Sequence, residues 1–111
     1  MVLVAAAAIA TLAAPASAQV PIPASIGELT GRPMQYDGKH VSVTGTLLVR
    51  GTALWLQLCS DGPTPTCIYV DHGDRIRASA GQTMTISGMF LAHAIVRNTQ
   101  ITNVLVLDPA P

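Results

Sequence analysis

Charge is scarce in this sequence. Only 11% of its 111 residues are Asp, Glu, Lys or Arg, the six basic residues balance the six acidic ones, and half of the chain is hydrophobic. That composition excludes a self-repelling disordered chain, and it argues against an electrostatic binder of polyanions. Aromatics are equally few, with one Trp, two Tyr and one Phe, so any stacking surface must be built from very few rings. Cysteine occurs only at Cys59 and Cys67. The length suits one domain and leaves no room for a second.

The apolar excess gathers at the start, where MVLVAAAAIATLAAPASA runs without a charge and ends in Ala16-Ser17-Ala18. An apolar core followed by a small-x-small site is the pattern of a secretory signal peptide, although Lys or Arg is missing from its head. Pro15 interrupts the run before the roughly 18 to 20 apolar residues that a membrane span needs. The expectation is a signal peptide over residues 1–18, cleaved ahead of Gln19, and a periplasmic or secreted chain with no membrane span after cleavage. No cysteine follows Ala18, so there is no acceptor for lipid attachment.

Export bears on the two thiols, because an oxidising compartment favours a disulfide between the only pair present. The stretch between them, SDGPTPT, is made of turn formers: Asp61-Gly62 accepts positive φ, and Pro63 and Pro65 cannot donate to a ladder. Cys59 and Cys67 are therefore read as a staple across a hairpin loop. Zinc would need further ligands such as His72 and His93 at spacings this pair does not show. A redox pair would be expected as Cys-x-x-Cys at a helix start. No metal and no cofactor is expected.

Along the rest of the chain one short helix is followed by strands. Ser25 and Glu28 form the capping-box pattern, with Gly31 and Pro33 ending the helix after about two turns. Tyr36-Asp37-Gly38-Lys39 turns the chain. Alternation then sets in: Val41, Val43, Leu47 and Val49 against Ser42, Thr44 and Thr46, with Gly45 at a bend or bulge. After a turn at Arg50-Gly51-Thr52, ALWLQLC sets Leu54, Leu56 and Leu58 against Trp55 and Gln57. CIYVD places Ile68 and Val70 inward and Tyr69 outward. HGDRIRASAG is polar and too weakly patterned for a helix. QTMTISGMFLA opposes Met84, Ile86 and Phe90 to Thr83, Thr85 and Ser87, with Gly88 as a second bend, HAIVRN reads as a loop or hairpin tip, and TQITNVLVLD is the last strand.

Five strands in this order, the first long and interrupted by glycine, outline an all-β protein: a five-stranded OB-fold-like barrel over residues 41–107. A short N-terminal helix lies within an extension over 19–40, one disulfide staples the barrel, and residues 108–111 form a tail. The opening SIGELTGRPMQYDGKHVSVTGTLL carries Glu28, Leu29, Pro33, Tyr36, Gly38, Lys39, Val41, Val43 and Gly45. In those residues it resembles the opening of small secreted bacterial OB-fold domains, and in architecture the anticodon-binding-like OB type. The resemblance implies a fold and brings no catalytic residues with it.

Barrels of this kind bind ligands on the outer face of their second and third strands, flanked by two loops. The alternation puts Trp55, Gln57 and Tyr69 on that face, Arg50 in the first flanking loop, and His93, Arg97 and Asn98 in the other. The expected function is recognition of a protein partner or a saccharide by an exported, non-catalytic module. Against it stands the possibility that the helix, or Pro21 to Pro23, covers the two aromatics. Single-stranded nucleic acid is the alternative ligand. Its stripe would be Arg50, Arg75, Arg77 and Arg97, but Asp71 and Asp74 sit beside the middle two, and neutral charge makes nucleic acid an unlikely partner. A third reading is an enzyme with a site near Asp71, His72 and Asp74. No nucleophile, zinc or phosphate-loop motif accompanies them, and a solvated loop has the same composition. His40 is expected to make an ordinary surface hydrogen bond.

Overall fold

The computed structural model describes residues 20–109. The segment read as a signal peptide, 1–18, lies outside the described residues. The expected helix is present as α1, Ile26–Gly31. Ser25 Oγ accepts from the Glu28 N–H (3.0 Å) while Glu28 Oε1 accepts from the Ser25 N–H (2.9 Å), so the first turn satisfies its own orphan donors. Ile26 and Leu29, three apart and on one face, are buried against the strands. A second single turn, α2 (Pro33–Tyr36), starts with proline at a position that needs no donor. Asp37 (φ −59°, ψ 127°) and Gly38 (φ +77°) then make a type II turn, closed by the Lys39 N–H on the Tyr36 carbonyl at 3.0 Å.

Six strands form one sheet: β1 (Ile22–Pro23), β2 (His40–Arg50), β3 (Trp55–Cys59), β4 (Cys67–Asp71), β5 (Thr83–Val96) and β6 (Thr99–Leu107). The hydrogen bonding is ring-like. β2 pairs with β3, β3 with β4, β4 in parallel with β6, β6 with β5, and β5 back with β2. Two strands hand over from one partner to the next, and a glycine marks each place. β2 leaves β5 and takes up β3 at Thr46, next to Gly45, while Gly88 of β5 is in register with both Val41 and Leu107. A Cβ on Gly88 would run into the Val106 carbonyl, and one on Gly45 would lie 2.7 Å from the Cys59 carbonyl oxygen. Backbones approach there too closely for any side chain. Inside the ring Phe90, Leu47, Leu58, Ile68, Leu105, Val41 and Val43 are fully buried, each stabilising the fold by about 1.5–3 kcal/mol relative to exposure.

Four expectations need correction. The sheet has a sixth strand, because Ile22–Pro23 pairs in parallel with Val41 and Ser42, and the Ala24 N–H continues the ladder onto the Ser42 carbonyl. Proline is acceptable on such an edge because its neighbours, not its own backbone groups, face β2. Of the two readings of HAIVRN, the hairpin tip holds and the loop does not: β5 runs on to Val96 paired with β6, and only Arg97 and Asn98 turn the chain. Leu54 does not continue the inward row of Leu56 and Leu58, since β3 begins at Trp55 and Leu54 stands 59% exposed with φ +57°. Within HGDRIRASAG, Asp74–Ser79 form a 3-10 helix that buries Ile76. The alternation seen in the other strands holds, and Cys59 and Cys67, opposite one another on β3 and β4, are joined by a disulfide. Among the described residues no helix is long and apolar enough to cross a membrane.

Candidate ligand-binding cleft

Gln57 and Tyr69 are directly opposite one another, and Trp55 begins β3 opposite Arg50. Period-two alternation puts all four on the outer face of the sheet. The Trp55 and Tyr69 rings meet edge to face, with centroids 5.6 Å apart and planes at 77°. Both residues are half-buried. Ile22 and Pro23 do not take the covering role allowed for the stretch Pro21 to Pro23, because they pair with Val41 and Ser42, at the other end of β2 from Arg50.

Arg97 completes the group from the β5–β6 hairpin. Its guanidinium carbon lies 4.1 Å from the Trp55 ring centroid, and its Nη1 donates to the Ala53 carbonyl at 2.8 Å. Arg77, from the 3-10 helix, donates to the next carbonyl, Leu54, at 3.1 Å. The loop joining β2 to β3 is thus fastened from two distant parts of the chain. The backbone around it is strained: Leu54 (φ +57°), His72 (+59°), Arg97 (+51°) and Asn98 (+62°) are all left-handed without being glycine. Each such residue costs about 1–2 kcal/mol, and strain of this kind collects at functional sites. Arg97 and Asn98 form the two-residue turn with both φ values positive that suits a β-hairpin.

Between these elements lies a cleft of about 250 Å³, bordered by Trp55, Asp71, His72, Asp74, Arg77 and Arg97. The fold therefore unites two groups that the sequence reading kept apart: the aromatic platform, and the polar cluster Asp71, His72 and Asp74. The register contains the signal that joins them. If Gln57 faces Tyr69, two steps further along antiparallel strands bring Trp55 level with Asp71. Asp71 Oδ1 accepts from the His72 N–H at 3.0 Å, and its Oδ2 lies 3.7 Å from His72 Nε2. Asp74 Oδ1 is 4.0 Å from Arg77 Nε.

The remaining sequence candidates are distributed as follows. Arg50 is the last residue of β2 rather than a loop residue, and its Nη1 approaches Cys67 Sγ at 3.8 Å. Asn98 is exposed and serves the turn. His93 lies on β5 opposite Thr102. Arg75 donates to the Asp108 carbonyl at 2.7 Å, which takes it out of the imagined arginine stripe. His40 Nε2 lies 2.6 Å from Asp108 Oδ2, so its hydrogen bond is to the end of the chain's last strand segment. Among the described residues no group of three or more His, Cys, Asp or Glu could hold a metal ion.

A second groove, of about 390 Å³, is bordered by Ser25, Glu28, Ser42 and Thr44. Its carboxylate is already committed. Chiefly the Ser25 N–H, then the Ser25 hydroxyl, holds the Glu28 carboxyl below its ordinary value. The sequence matches no protein-family model and no curated protein. The functional reading rests on the geometry of the first cleft.

Proposed function

We propose that this chain is an exported OB-fold-type module that binds rather than catalyses, taking a saccharide or a protein partner on the outer face of β3 and β4. The strand order, the parallel β4–β6 pair and the capping helix α1 support the architectural part. The disulfide supports an oxidising compartment. The observation that carries the functional part is the cluster of Arg97, Trp55 and Tyr69 beside a polar cleft. Aromatic and arginine side chains held rigid at a concave site are the usual anchors of recognition.

Trp55 is the only tryptophan in the chain, so its emission reports on this site alone. A panel of glycans and peptides should contain ligands that shift that emission in the parent protein. The same ligands should lose binding to the Trp55→Ala variant when followed by calorimetry. Ligands retained equally by Trp55→Ala would place recognition elsewhere and end the proposal. Single-stranded nucleic acid is the second reading, favoured by the stacking of Arg97 on Trp55. It predicts affinity that falls steeply with salt.

A further inference from the structure

The charges at the cleft do not all pair off. Asp74 faces Arg77, and Asp71 faces His72. Among the described residues no carboxylate oxygen lies within 4.0 Å of the Arg97 or Arg50 side-chain nitrogens. Of the two, Arg97 lies over the Trp55 ring, whereas Arg50, opposite Trp55 on β2, turns its Nη1 toward Cys67 Sγ at 3.8 Å. Arg97 uses one donor on the Ala53 carbonyl, and a guanidinium has five. Laid over the indole and tethered on one side, it is held ready to offer its remaining fork to a carboxylate.

On this basis we propose that the ligand of the cleft is a saccharide ring bearing a single carboxylate, with Arg97 as the specificity-determining residue. The inference rests on the binding reading given above. The carboxylate takes the free edge of the Arg97 guanidinium. The ring hydroxyls, which are donors, are met by the acceptor oxygens of Asp71 and Asp74. Those same two carboxylates discriminate against a nucleic-acid strand, whose charge repeats at every nucleotide and would have to run past them. A cleft of about 250 Å³ is on the small side for ligand sites, which suits one ring better than a polymer segment with several charges.

The test compares monomeric galacturonate, one ring with one carboxylate, with its methyl ester, which keeps the ring and removes the charge, using Trp55 emission and calorimetry. The acid should bind about tenfold more tightly or better, the contribution of one charge-assisted pair. Arg97→Gly keeps the left-handed turn while deleting the guanidinium, and it should bind the two forms equally. Arg97→Lys should restore part of the preference, because it returns the charge without the fork. Thermal melting of both variants verifies that the hairpin is intact. Equal binding of acid and ester by the parent, or a preference that survives in Arg97→Gly, overturns the inference and leaves the cleft reading standing. Failure of galacturonate to bind through Trp55 also overturns it, as does a short oligothymidylate binding in its place with steep salt dependence. Only ligands indifferent to Trp55→Ala would sink both.

Discussion

The segment that leads into the ring and the rim of the cleft are built by opposite means. From Ser25 to Lys39 most local demands are met by the residue type best suited to them. A serine and a glutamate cap the helix, a proline opens the next turn, and the one residue at positive φ in that stretch is a glycine, Gly38. At the rim, positive φ falls on a leucine, a histidine, an arginine and an asparagine. Both regions rest on the same core, so the contrast is not one of packing quality. It teaches where stability is spent: the segment leading into the ring is locally relaxed, whereas four left-handed non-glycine residues gather around Trp55, where two arginines hold the loop carbonyls in place, and a fifth, Asn103, lies within β6.

Five substitutions would break or sharpen that contrast. The largest effect is expected from Phe90→Ala, because Phe90 fills the core and its backbone also bonds Gly38 and Lys39. A loss of about 3–5 kcal/mol is expected, with both regions unfolding in one transition by near-UV and far-UV dichroism. Two separate transitions would show that the regions do not share a foundation. Next, Gly38→Ala should cost about 1–2 kcal/mol through backbone strain alone, since a Cβ there meets nothing within 4 Å. A neutral result in denaturant melts would mean that the turn relaxes and the segment is less fixed than described.

Ser25→Ala should cost about 1 kcal/mol by loss of the cap. The linked carboxylate adds a pH signature. Because the Glu28 carboxyl is held below its ordinary value in the folded chain, its contribution is complete above that value and is lost as pH falls through the folded one. Glu28→Gln should flatten that part of the acid limb, and an unchanged limb would remove Glu28 from the account. The smallest effect has the opposite sign. Leu54→Gly relieves a left-handed leucine that is mostly exposed, so stability should rise by up to about 1 kcal/mol in thermal melts. A clear loss would mean that the leucine side chain supports the rim after all.

The same contrast explains what could be read from the sequence. Where local rules decide, the residues announced the structure: Ser25 with Glu28, the turn at Gly38, the glycines at the strand hand-overs, and the alternation that set Trp55 and Tyr69 outward. Where long-range contacts decide, they did not. Leu54 fits a period-two row, yet Ala53 and Leu54 are held out of the strand by arginines 44 and 23 residues away. Arg97-Asn98 lacks the glycine that normally announces a tight hairpin, so the end of β5 looked like a loop. The meeting of the polar cluster Asp71, His72 and Asp74 with the aromatic platform depended on the β3–β4 register, which neither strand's composition reveals.

The turn between Cys59 and Cys67 lies at the opposite end of the β3–β4 pair from Trp55 and Asp71. It is bracketed by the disulfide and by the Ser60 and Thr66 hydrogen bonds. Its residues from Asp61 to Thr66 are exposed. This gives the molecule a natural port for grafting: a reporter peptide or fusion tag placed there hangs from a covalently closed collar. The recognition end then stays unobstructed, so surface tethering or labelling is best done through this turn.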